Sequence, residues 1–182
     1  VGWVNIYAAV YNEEFSSIFD FSQRYGKQLI WIFAALLLAL VILVIDATFF
    51  NTFAYLIYGI SIFSLIAVLG LGTEIAGSRS WFQFGGFAIQ PAEFAKFATA
   101  LALAKYLSTF NVSLKKARVK IIASIIIFLP ALLVLLQNDT GSALVYAIFI
   151  LVLFREGLTG NILIIGTLVV ILFVITLLIY KL

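Results

Sequence analysis

Two short stretches hold most of the residues able to do chemistry. The first runs Gly77-Ser78-Arg79-Ser80-Trp81, then Gly85-Gly86-Phe87, then Gln90-Pro91-Ala92-Glu93-Phe94-Ala95-Lys96. Pro91 suits the first position of a helix, where no N–H is needed. Glu93 then stands at the third position, near the positive end of the helix dipole, and Lys96 three residues on shares its face. The pair is either helix-start chemistry with a snorkelling lysine, or a polar site at membrane depth, where ionisable groups are costly and usually functional. Arg79 also has two readings: solvated, or gripping a phosphate with its planar fork. Trp81, with Phe82, Phe84 and Phe87, reads first as an aromatic belt at a membrane surface.

The second stretch is Gln137-Asn138-Asp139-Thr140-Gly141-Ser142. Asp139 reads as the N-cap of the helix that follows, or as a functional carboxylate facing Lys96 or Arg79. Pro130 lies inside the preceding helix. It is expected to bend that helix and to free a carbonyl that must find a partner in the protein. Asp46 and Glu74 follow apolar runs and read as helix-end residues.

The elements that must position these residues follow from composition. Of the 182 residues, 65% are apolar and only 10% charged, and the mean hydropathy is +1.22. Soluble domains sit nearer half apolar and a quarter charged. A disordered chain, a nucleic-acid binder and an ordinary cytosolic enzyme are excluded, and an integral membrane protein is left. Without Cys there is no disulfide framework, thiolate metal site or Cys nucleophile; without His there is no His triad, His metal site or His proton relay. The chain also lacks Met and opens on Val1, which reads as part of a longer protein.

Uncharged apolar runs occupy 29–45, 47–73, 121–136, 140–154 and 161–180, and a sixth run at 91–109 carries Glu93, Lys96 and Lys105. A spanning helix needs roughly 17–25 residues, so the shortest runs must use their polar flanks. Open strands cannot satisfy their backbone in lipid, and barrel alternation is missing. The expected fold is therefore all-α, a polytopic membrane bundle with six spanning helices. No repeat or linker divides it, so residues 1–182 form one partial domain. Lys105, Lys115, Lys116, Arg118 and Lys120 place the loop between the third and fourth runs in the cytoplasm. Anionic lipid is a second role for that cluster. Arg155 and Glu156 then fall inside and Glu13, Glu14 and Asp20 outside. The segments Gly72–Gln90 and Gln137–Gly141 share the outer face.

On these residues the sequence resembles the SEDS family, represented by RodA, FtsW and SpoVE. GSRSWFQFGGFAIQPAEFAKFATALALAKYLS resembles the family's Gly-small-x-x-Trp segment, "QPSE-apolar-AK" motif and "YLS" helix end. LLQNDTGSALVYAIFILVLFREGL resembles its "QPDLGTA" turn and the helix after it. The order, the spacing and the intervening basic loop match as well. Ala92, Asn138 and Thr140 depart from the family's Ser, Pro and Leu.

The resemblance implies a peptidoglycan glycosyltransferase that polymerises lipid II, an undecaprenyl-pyrophosphate-linked disaccharide, on the outer face of the bacterial cytoplasmic membrane. It would serve elongation or division, with details leaning towards RodA. Its implied partner is a class B penicillin-binding protein, and nucleic acid plays no part. The site residues carried over are Arg79, Trp81, Gln90, Glu93, Lys96, Gln137 and Asp139. Arg79 and Lys96 would hold pyrophosphate, and Glu93 and Asp139 would position them or ligate a divalent cation such as Mg or Mn. A family member has about ten spanning helices. The first helix and the C-terminal helices are expected outside residues 1–182. So is the large outer loop, whose catalytic Asp is expected beyond Leu182, which would leave this stretch inactive alone. The rival readings are a flippase for the same lipid-linked precursor and a non-catalytic membrane scaffold.

Overall fold

The structure is a computed structural model and describes residues 5, 8, 24–75, 77–84, 87–108 and 116–180. Glu13, Glu14, Asp20, Gly85, Gly86 and Lys115 lie outside the described residues. The chain divides into two compact units, Val1–Phe49 and Phe50–Leu182, and each is taken by itself.

In the first unit, α1 (Arg24–Val44) is exposed along nearly its whole length, although it consists mainly of Leu, Ile, Val and Ala. Its apolar part, Gly26–Val44, has 19 residues, about 28 Å at ~1.5 Å per residue, enough for a hydrocarbon core of about 30 Å. Asp46 follows and caps the next helix: its carboxylate accepts from the Thr48 amide at 2.6 Å. Hydrogen bonds from the Thr48 side chain and then its backbone hold the Asp46 carboxyl below its ordinary pKa.

The second unit holds almost all of α2 (Ala47–Leu71), which ends where Gly72 donates its amide to Val68 O at 2.8 Å. A three-stranded antiparallel sheet follows, in the order β1 (Thr73–Ile75), β2 (Ser78–Phe84), β3 (Phe87–Ile89). Thr73 pairs with Trp81, and Phe82 with Ile89. Gly77, at φ +82°, makes the turn between β1 and β2 in a conformation L side chains avoid. The sheet was not expected, and it moves Glu74 from a helix end onto β1. Strands are permitted here because they lie between helices rather than across the membrane.

The remaining elements are helices: α3 (Pro91–Ser108), α4 (Ala117–Leu136), α5 (Thr140–Val145), α6 (Ile148–Arg155) and α7 (Gly160–Tyr180). By length and composition α2 and α4, like the apolar part of α1, can cross a membrane. The helix α3 carries three charges, and Thr140–Arg155 and Leu163–Thr176 are apolar but shorter. On α3 the buried face is built from Ala92, Ala95, Ala98, Thr99 and Ala102. Small residues let α4 approach closely, which is how helices associate where lipid removes the hydrophobic drive. Across from them, Val119, Ala123, Ile126, Ile127, Ala131 and Val134 complete the core with Tyr146, Phe149 and Leu153. Lys105 keeps its charge at the helix end. Its Nζ donates to Thr52 O at 3.1 Å and lies 4.9 Å from the centre of the Tyr55 ring.

Helical bonding departs from the regular pattern at two places in this unit. Pro130 sits in α4, which nevertheless runs unbroken from Ala117 to Leu136. The run 140–155 divides at Tyr146–Ala147. There the amides of Tyr146, Ala147, Phe149 and Ile150 each reach back three residues instead of four.

Candidate functional site

The site is assembled by the reversal from α4 into α5. Asn138 adopts φ +59° just past the C-cap residue Gln137. Its amide donates to Leu135 O at 3.0 Å, and that of Asp139 donates to Val134 O at 3.3 Å. This paired closure of the last helical carbonyls is a Schellman arrangement, and Asn tolerates the left-handed position it requires. Asp139 then begins the next helix, its Oδ1 accepting from the Ser142 amide at 3.0 Å. The cap expected from the sequence is therefore present.

Asp139 has a second bond. Gln90 Nε2 donates to its Oδ2 at 2.5 Å, joining the residue before α3 to the residue before α5. The sequence had offered Lys96 or Arg79 as its partner, and the structure supplies Gln90 instead. Lys96 is engaged elsewhere: its Nζ donates to Glu93 Oε1 at 2.8 Å, as the three-residue spacing implied. Glu93 is the more exposed of the two, and Lys96 the more enclosed.

Gln137 sits beneath this cluster. Its Nε2 donates to Leu65 O in α2 at 3.1 Å. Its backbone carbonyl, left over at the helix end, accepts from Arg79 N and from Ser78 Oγ, each at 3.0 Å. The Ser78 and Ser80 hydroxyls lie 2.9 Å apart. Thus β2 is fastened to the end of α4, and Arg79 arrives beside the turn through its backbone. Its side chain is exposed and forms no ion pair among the described residues. Trp81 is half-buried on β2, where its carbonyl accepts from Thr73 Oγ1 at 3.1 Å.

The structure therefore bonds Gln90 to Asp139 and the Arg79 strand to Gln137, two residues earlier in the same turn, with the Glu93–Lys96 pair in the first turns of α3. Among the described residues no three Asp or Glu side chains gather to hold a metal ion. Glu93 and Asp139 do not form a complete divalent-cation site by themselves. Sequence reasoning missed two structural donors, the Ser78 hydroxyl and the Tyr58 hydroxyl, which donates to the Ile126 carbonyl in α4. The signal for the second was present, since a carbonyl freed by Pro130 demands one.

The family model of the FtsW, RodA and SpoVE cell cycle proteins matches residues 1–182. The chain belongs to this family. The peptidoglycan glycosyltransferase RodA of Treponema pallidum is 35% identical over 158 residues, 86% of this chain and 36% of that protein. Stage V sporulation protein E of Bacillus subtilis is 32% identical over 151 residues, 80% of this chain and 40% of its own. Among solved structures, the crystal structure of the Thermus thermophilus rod shape determining protein RodA superposes with a TM-score of 0.79 at 30% identity. It covers 94% of this chain and 54% of that one. A peptidoglycan synthase complex, solved for its coordination of polymerization and crosslinking, gives 0.73 at 31% identity over 100% of this chain and 55% of that one. The chain thus spans about a third to a half of the lengths it matches. Membership in the FtsW/RodA/SpoVE family makes it a multi-pass membrane protein with an all-α bundle, to which the small sheet is an addition.

Proposed function

We propose that the protein of which these residues are part is a peptidoglycan glycosyltransferase that polymerises lipid II at the outer face of the bacterial cytoplasmic membrane. The observation that carries this reading is the joined pair Gln90–Asp139, with Glu93–Lys96 following on α3, in a family that includes relatives named peptidoglycan glycosyltransferases. The outer-face placement is supported by the helices themselves. Lys105, Lys116, Arg118 and Lys120 stand at one end of α3 and α4, and the cluster stands at the other. An 18-residue α3 puts about 27 Å between those ends, and basic residues favour the cytoplasm.

In this reading the exposed Arg79 guanidinium takes up pyrophosphate oxygens bidentately, and Lys96, steered by Glu93, offsets charge that grows on the leaving group. Asp139 fixes where two helices begin. Of the two carboxylates in the cluster, Glu93 is ion-paired with Lys96 and Asp139 accepts from Gln90 and from the Ser142 amide, which suits both to positioning. Deprotonation of the attacking sugar hydroxyl falls to the family's outer-loop Asp, expected beyond Leu182. A divalent cation bound by Glu93 or Asp139 would need further ligands, and no step here depends on it. A class B penicillin-binding protein is the proposed partner, supported by the likeness to a synthase complex that couples polymerization to crosslinking.

The test is the full-length protein with that partner and labelled lipid II, read on a gel beside Asp139→Ala. Glycan polymer from the native protein and none from the variant is the expected result. Lipid II crossing a vesicle bilayer without polymer would replace this reading with the flippase.

A further inference from the structure

Gln137 stands by its motif among the residues expected to line the cavity, yet its surroundings point to another role. The residue is 1% exposed, which leaves no surface for a ligand to touch. Its amide donates to Leu65 O in α2, its carbonyl accepts two donors from β2, and it is the C-cap of α4, two residues before Asp139. One side chain and one carbonyl thereby bond three elements. The amide is not an economical way to fill this space. Its Oε1 is buried with no hydrogen-bond partner among the described residues, a desolvation cost that a Leu of similar size would avoid. What a Leu lacks is the N–H that reaches Leu65.

We propose that Gln137 is a positioning residue. It holds the strand that brings Arg79 and the turn that brings Asp139 in one register, and acts on the reaction only through them. The activity part of this inference rests on the transferase reading; the structural part stands without it.

The experiment uses the full-length protein, cleared of other cysteines, with spin labels at Gln83→Cys and Gly141→Cys. Both positions are exposed, and a Cβ at Gly141 meets only Asp139 Oδ1, at 3.9 Å. The native protein is expected to give one narrow distance, and Gln137→Leu a broadened or shifted one. Lipid II polymerisation by Gln137→Leu should fall about tenfold or more in kcat/KM, because the residues it positions both hold and process the substrate. Gln137→Glu adds a readout that space-filling would not move. A protonated carboxyl can donate to Leu65 O and a carboxylate cannot, and burial favours the neutral form. That variant should keep the narrow distance at low pH and lose it as pH rises.

A narrow, unshifted distance in Gln137→Leu overturns the proposal whatever polymerisation does. Native-like polymerisation by Gln137→Leu at a displaced distance overturns its action on the reaction. If Gln137→Leu does not accumulate, a Gln137→Glu distance independent of pH overturns it. Distances that respond as expected, in a protein that makes no polymer, overturn the transferase reading and leave the positioning role standing.

Discussion

The Tyr58 hydroxyl donates to the Ile126 carbonyl oxygen at 3.0 Å, tying α2 to the middle of α4. Ile126 lies four residues before Pro130, so its carbonyl is the one that proline deprives of a helical N–H. In hydrocarbon no water replaces the missing donor, and the phenol takes its place. Tyr58→Phe is expected to destabilise the protein by about 1–3 kcal/mol. In a Pro130→Ala background the restored amide reclaims Ile126 O, and the same change should cost much less. A double-mutant cycle of unfolding in detergent measures this; equal costs in both backgrounds would separate the hydroxyl from the proline.

Asn138 offers a test against the family's own preference. Its φ of +59° is closed to proline, which is held near −65° and has no amide for Leu135 O. Restoring the family's residue with Asn138→Pro should therefore cost about 3 kcal/mol, whereas Asn138→Gly should lie within a few tenths of native. Melting temperatures of the purified proteins decide it, and a proline variant that melts like native would refute the described turn.

The Glu93–Lys96 pair should separate stability from activity. With side chains 57% and 21% exposed, the bridge is screened, and its contribution to stability is at most about 1 kcal/mol. Lys96→Met is thus expected to melt near the native temperature. If Lys96 offsets leaving-group charge, lipid II polymerisation falls about a hundredfold. Native-like polymerisation would remove Lys96 from the working site.

Much of this was legible in the residues themselves, where the deciding interactions are local. The helix over 91–108 follows from Pro91, the ion pair from the spacing of Glu93 and Lys96, and the cap at Asp139 from its place between two apolar runs. Pro130 announced an unpaired carbonyl, although not its donor, because Tyr58 is 68 residues from Ile126 in sequence. The sheet was less visible. Trp81, Phe82 and Phe84 read as an aromatic belt, because β2 is anchored by the Gln137 carbonyl, 59 residues from Ser78. Asp139 found Gln90 rather than a cation for the same reason. A choice among three plausible donors is made by how α3 and α5 pack, not by the local string. Nor does the uninterrupted apolar run of 140–154 disclose the change of hydrogen bonding at Tyr146.

The alanine face of α3 inverts the usual map of mutational tolerance. In a protein dissolved in water, bulky interior residues are the vulnerable ones and the periphery accepts nearly anything polar. Here the periphery is Phe94, Phe97, Ile125 and Phe128. Exchanging one oily side chain for another there changes little, while a charge at mid-span costs about 2.5–3.5 kcal/mol on the insertion scale. The intolerant positions are the smallest, Ala95, Ala98 and Ala102, each without any exposed surface. An added methyl there would have to force α3 away from its neighbours. A saturation scan of this helix would find its most sensitive letters among the alanines that an alanine scan leaves out.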